Sequence, residues 1–97
     1  MKDYEILMVL RPDHDEERNN FVNTIEKHLD KIGKLEKTDN WGLKRLAYPI
    51  NDYYEGYYFL LTFQAETLNI KPNLRELDNK CKYSDACLRH MIIRKGE

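Results

Sequence analysis

Cysteine is scarce in this chain, with only Cys81 and Cys87 among 97 residues. That excludes the disulfide framework of small secreted domains. Their separation of six is not CxxC, and no second Cys or His pair completes a zinc-type pattern. Each reads as a small buried hydrophobe, Cys81 on a helical stripe and Cys87 at the start of a strand, in a reducing compartment. Long apolar runs are missing too. The N-terminal MKDYEILMVLRPDHD is interrupted at Glu5, so neither a signal peptide nor a membrane span is expected, and a cytoplasmic-type compartment is the default. Four glycines and three prolines form no linker, repeat or low-complexity tract. Nor is there an excess of positive charge, since the formal net charge is -1 and the pI near 6.3. A chain so balanced neutralises a few phosphates along a local strip but cannot act as a general polyanion glue.

What is present suits one small soluble domain spanning residues 1–97. Hydrophobic residues make up 41% and charged residues 34% of the chain, well outside the disordered range. The apolar run Tyr4-Glu5-Ile6-Leu7-Met8-Val9-Leu10 predicts a central strand that stops at Arg11-Pro12. Asp13 and Glu16 have capping-box spacing before a helix whose stripe is Phe21, Ile25, Leu29 and Ile32, with Val22 beside it and Gly33 at its end. Leu35 to Ile50 reads as a second strand, liable to bulge near Asp39-Asn40 and demoted to an edge by Pro49. A hairpin tip at 51–56 leads into a second central strand, Tyr57 to Ala65. Ile70, Leu74, Leu77 and Cys81 mark another helix, with Pro72 tolerable in its first turn, and Ala86 to Arg94 forms the last strand.

The order β-α-β-β-α-β predicts an α+β, ferredoxin-like fold: a four-stranded antiparallel sheet with both helices on one face. The other face then has no lid of its own. Alternation sends Tyr4, Ile6, Met8, Leu10, Phe59, Leu61 and Phe63 to the helices. Leu7, Val9, Tyr58, Leu60, Met91 and Ile93 are left outside, rimmed by Arg45 and Arg89. A contiguous apolar patch with basic edges marks an interaction surface. Cations without acids occupy Lys44-Arg45 and the stretch from Arg89 to Lys95, whereas Asp13, Asp15, Glu16 and Glu17 crowd the first helix start. His90 falls on the covered face as a hydrogen-bonded structural histidine, while His14 and His28 read as solvent-exposed. No catalytic constellation, metal set or cofactor motif emerges.

Three segments carry a family resemblance. GLKRLAYPIN, preceded by Asn40-Trp41, resembles the signature strand of bacterial small-subunit ribosomal protein six. MKDYEILMVLRP resembles that family's opening strand, and YSDACLRHMIIRK its closing Asp-x-x-x-Arg-x-Met strand. The resemblance implies a non-enzymatic constituent of the ribosome in the cytoplasm. It implies binding to the central domain of 16S rRNA as a heterodimer with small-subunit ribosomal protein eighteen, and no membrane or small-molecule substrate. On the family pattern, Lys2, Lys44, Arg45, Tyr48, Arg89, Met91, Arg94 and Lys95 are the expected RNA-binding residues. Leu7, Val9, Tyr58 and Leu60 are the expected protein-partner interface. Many members continue into a charged tail; this chain ends at Lys95-Gly96-Glu97, and tail-dependent functions are expected to be absent.

Three rivals share the fold order. An RRM-like module would bind single-stranded RNA without a protein partner, and Tyr58 could serve as a stacking platform, but the Lys/Arg-Gly-Phe-Gly-Phe type run is missing. An acyl-phosphate hydrolase would need a phosphate cradle after the first strand. Pro12 removes a donor there, and the carboxylates of Asp13, Asp15, Glu16 and Glu17 repel the substrate. A metal carrier of this fold would need paired cysteines in the first loop, which holds none.

Overall fold

The computed structural model describes residues 2–66 and 70–95. Its elements run β1 (Lys2–Leu10), α1 (Asp15–Ile32), β2 (Gly33–Ile50), β3 (Tyr53–Ala65), α2 (Ile70–Lys82) and β4 (Cys87–Arg94). The strands pair antiparallel in the order β2-β3-β1-β4. The two near-continuous apolar runs are therefore central, and Pro49 lies on an edge strand, where a missing donor is tolerated.

One side of the sheet makes the core. Tyr4, Ile6, Met8 and Leu10 of β1 and Phe59, Leu61 and Phe63 of β3 are buried against Val22, Ile25 and Leu29 of α1 and Ile70, Leu77 and Cys81 of α2. Burial of side chains this size contributes about 1.5–3 kcal/mol each before the entropy of ordering is charged against it.

Helix α1 begins differently from the expected capping box. His14 occupies the N-cap in a left-handed conformation (φ 57°, ψ 65°) and caps nothing with its side chain. The Asp13 carboxylate is engaged elsewhere: Arg11 donates to it from Nε (3.1 Å) and Nη2 (3.3 Å), and the Tyr53 hydroxyl donates at 3.1 Å. The Arg11 hydrogen bond holds the Asp13 pKa below the usual carboxylate range. The start of α1 is instead secured by Arg18. Its buried guanidinium donates to the carbonyls of Arg11 (3.1 Å) and Pro12 (3.3 Å) and to Asp15 Oδ1 (2.6 Å), and lies 3.9 Å from the centre of the Tyr57 ring. His28, expected in solvent, is buried one turn from Ile25 on the same stripe.

The β2–β3 hairpin turns at Asn51-Asp52, both with positive φ (49° and 68°), and β3 starts at Tyr53, earlier than the apolar run suggests. Paired positive-φ residues match the right-handed twist of flanking strands.

Candidate interaction surface

On the face away from the helices, β1 presents Glu5, Leu7 and Val9, opposite Thr62, Leu60 and Tyr58 of β3. On its other side β1 sets Glu5, Leu7 and Val9 opposite Ile93, Met91 and Arg89 of β4. No helix covers these residues, as the alternation predicted. Met91 is 56% and Ile93 41% exposed. Leu7, Val9, Tyr58, Arg89 and Met91 line a shallow groove of about 390 Å³.

Strand β2 departs from the simple alternation, and its bulges explain how. The pairing skips Glu36 between Leu35 and Lys37, skips Trp41 between Asn40 and Gly42, and opens widely between Arg45 and Ile50. The irregularity expected at Asp39-Asn40 thus falls just beyond, at Trp41, with Gly42 at φ 82°. Each inserted residue reverses which side chains face outward. Lys44 comes to lie opposite Gly56, on the open face, and Arg45 opposite Glu55, on the helix side. The expectation that Arg45 rims the open face is therefore corrected: its neighbour Lys44 takes that position.

Beyond Arg45 the strand leaves the ladder and leans over the open face. A Cβ built on Gly56 would meet Val9 Cγ1 at 2.6 Å and Leu46 Cδ2 at 3.7 Å, so Leu46 and Val9 close on either side of this glycine. Val9, outward by parity, is only 6% exposed, its Cγ1 pressed close to Gly56. Tyr48 reaches further still, its ring centre 5.3 Å from the Arg89 guanidinium of the opposite edge strand. Leu46, Gly56 and the Tyr48–Arg89 contact were not picked out by sequence reasoning; a glycine flanked by bulky strand residues was the available signal.

The candidate RNA-binding residues divide into two groups. Lys44, Arg45, Tyr48 and Arg89 gather at the hairpin end. Lys2, opposite Ala65, and Arg94, opposite Tyr4, lie at the other end with their registers on the helix side. Roughly 23 Å of strand separates Lys2 from Val9 at ~3.3 Å per residue. Lys95 joins the second group, its Nζ 3.8 Å from Glu5 Oε2. Glu36, Lys37 and Asp39 share that end of the open face, with Lys37 and Asp39 paired at 3.4 Å. Each end therefore mixes cations with carboxylates, Arg45 facing Glu55 at the hairpin end and Lys95 and Lys37 meeting Glu5 and Asp39 at the other.

A family model for ribosomal protein S6 matches residues 3–94. The chain belongs to the ribosomal protein S6 family. It is 42% identical over 103 residues to the small ribosomal subunit protein bS6 of Syntrophomonas wolfei subsp. wolfei, covering 100% of this chain and 99% of that one. It is 38% identical over 97 residues to bS6 of Desulforudis audaxviator, covering 98% and 99% respectively. The crystal structure of 30S ribosomal protein S6 from Thermotoga maritima superposes with a TM-score of 0.85 at 28% identity, covering 97% of this chain and 87% of that one. The S6 family thus accounts for both the element order and the ferredoxin-like sheet. Among the described residues, no helix is long and apolar enough to cross a membrane.

Proposed function

We propose that this chain acts by binding rather than catalysis, as a structural constituent of the small ribosomal subunit. It packs its open sheet face against small-subunit ribosomal protein eighteen, and the heterodimer binds the central domain of 16S rRNA. The observation that carries this reading is the unlidded apolar surface of Leu7, Tyr58, Leu60 and Met91, with Lys44 and Arg89 at its margin. Apolar area left open on a small domain is stabilised by a partner that removes it from water.

In this reading Leu7, Val9, Tyr58 and Leu60 meet the protein partner. Lys44, Arg45, Tyr48 and Arg89 at the hairpin end contact rRNA, with Met91 beside them; Lys2, Arg94 and Lys95 form a second, smaller contact. Phosphate contacts set position and affinity, and the folded junction is recognised by shape and unstacked bases.

Titration calorimetry with the partner protein tests the first half. Leu60→Asp, with its fold checked by circular dichroism, abolishes heterodimer formation; unimpaired association would remove the open face from the interface. For the second half, replacing Lys44 and Arg45 with alanine flattens the slope of log K against log salt for a central-domain rRNA fragment. Every phosphate that these cations neutralise contributes about 0.7–0.9 to that slope. An unchanged slope excludes both. Tight binding of short single-stranded RNA by the isolated chain would favour the RRM-like alternative.

A further inference from the structure

Where α2 meets β4, on the covered side of the sheet, several ligand-type side chains converge. Asp78 and Cys81 are one turn apart on α2, and Cys81 is 1% exposed. Cys87 and His90 are three apart on β4, a spacing that on a regular strand sends side chains to opposite faces. Here the pairing shifts between Val9 and Leu10: Cys87 lies opposite Leu10 and Arg89 opposite Val9, leaving Leu88 as an inserted residue. His90, opposite Met8, therefore shares the helix-facing side with Cys87. One bulge has brought both to the same helix. The two Sγ atoms and an imidazole nitrogen all lie within 4.8 Å of one another. Asp78 Oδ1 stands 2.5 Å from His90 Nε2.

We infer that Cys81, Cys87 and His90 form a zinc-type metal site, completed by Asp78 as a fourth ligand or as the carboxylate that orients the imidazole. Two thiolates and an imidazole are borderline-soft donors that select zinc over magnesium or calcium. Tetrahedral zinc with Zn–S bonds of ~2.3 Å sets its sulfurs about 3.8 Å apart, so the cluster needs to contract by no more than about an ångström. Packing explains the two cysteines, since Cys81 belongs to the apolar core and Cys87 packs against it, its thiol also donating to the Arg89 carbonyl at 3.3 Å. It does not explain why an imidazole and a carboxylate meet beside both thiols. Bound metal would pin the end of α2 to β4, whose opposite face carries Arg89, Met91 and Ile93. The inference depends on nothing proposed for that opposite face.

The test uses the full chain, reduced and stripped with a chelator, titrated with cobalt(II) and then zinc. One cobalt per chain is expected, with thiolate-to-metal charge transfer and the visible bands of tetrahedral cobalt, both abolished by zinc. Cys87→Ser and His90→Gln should weaken binding by more than the ~100-fold upper range of an outer-shell change, and Asp78→Asn by about 10–100-fold. Zinc should raise the thermal midpoint of the parent chain and leave that of folded Cys87→Ser unmoved. Octahedral cobalt alone, no saturable one-to-one binding, or disulfide closure between Cys81 and Cys87 at the same rate with and without zinc would each overturn it. Should Cys87→Ser fail to fold, the parent titration and Asp78→Asn still decide.

Discussion

The two edge strands of this sheet are built by different rules. Strand β4 holds a plain alternation over most of its length: Arg89, Met91 and Ile93 face away from the helices, His90 and Ile92 toward them, and one inserted residue disturbs only its start. Strand β2 is more than twice as long, and its pairing is interrupted in three places. The first interruption exchanges its faces, the second restores them, and the third frees residues 46–49 to lean across the sheet. A short edge with one bulge keeps its side chains where a period of two puts them. A long edge that must twist and fold over its neighbour does not, and its cations end up on faces set by the number of bulges.

The sharpest way to break that contrast is at the point where β2 leaves α1. Gly33 donates its N–H to the Leu29 carbonyl at the end of α1 and at once pairs with Ala65 in β3. A Cβ there would collide with the carbonyl oxygen of Gln64 and come within 2.9 Å of Ala65 Cα. Both neighbours are backbone of a central strand, so neither yields cheaply. Gly33→Ala is expected to cost about 3 kcal/mol, at the upper end for overpacking. Urea unfolding followed by circular dichroism measures it. A loss under ~1 kcal/mol would mean that β2 can pull away from β3 at its start without penalty.

The same contrast separates what was legible in the sequence from what was not. Element order, the central position of β1 and β3, the edge position of β2 and the inward set of β1 and β3 all follow from periodicity and from Pro49. So do the outward Leu7, Tyr58, Leu60, Met91 and Ile93. The face taken by Arg45 was not legible, because the irregularity expected near Asp39-Asn40 is joined by a second insertion at Glu36, and the two reversals cancel, returning Arg45 to the helix side with Leu35. Val9 was read correctly by parity, yet it is buried, pressed close to Gly56, an approach that parity does not reveal. His28 lies on the helical stripe between Ile25 and Ile32, and polarity alone suggested solvent. Asp13 follows the same lesson. Its spacing to Glu16 suggested a capping box, but Arg11 two residues before it and Tyr53 of the hairpin take its carboxylate instead. The convergence of Cys87 with His90 was hidden by the bulge at Leu88.

A smaller effect sharpens the account of the leaning segment. Gly56 is buried between Val9 and Leu46, and a methyl group there would press on Val9 Cγ1 at 2.6 Å and the Leu10 carbonyl at 3.3 Å. The valine is short and branched, and can give only by moving away from the glycine. Gly56→Ala should therefore cost about 1–2 kcal/mol and displace Val9, reshaping the groove that it lines beside Leu7 and Met91, while Leu46 stays at ordinary contact distance. Hydrogen exchange at the amides of Val9 and its partner Tyr58 would report that displacement. Unaltered protection, together with unaltered stability, would show that the Val9 side accommodates a methyl group without moving.

The smallest effect concerns a contact that joins the two edges directly. Tyr48 and Arg89 meet across the width of the sheet, with 5.3 Å between guanidinium and ring centre. Tyr48 remains 53% exposed, so solvent holds the interaction to the weak end of the cation–π range, about 0.5–1 kcal/mol. Tyr48→Ala and Arg89→Ala, each alone and then together, form a cycle in which the double variant should lose less than the sum of the single losses by that amount. If the losses add within ~0.3 kcal/mol, the two side chains are neighbours without coupling, and the hairpin end leans over the sheet because of Leu46 alone. Coupling of the expected size would mean that Arg89 is held in place by β2. In the RNA contact proposed above, such a cation would have less side-chain entropy still to lose on binding.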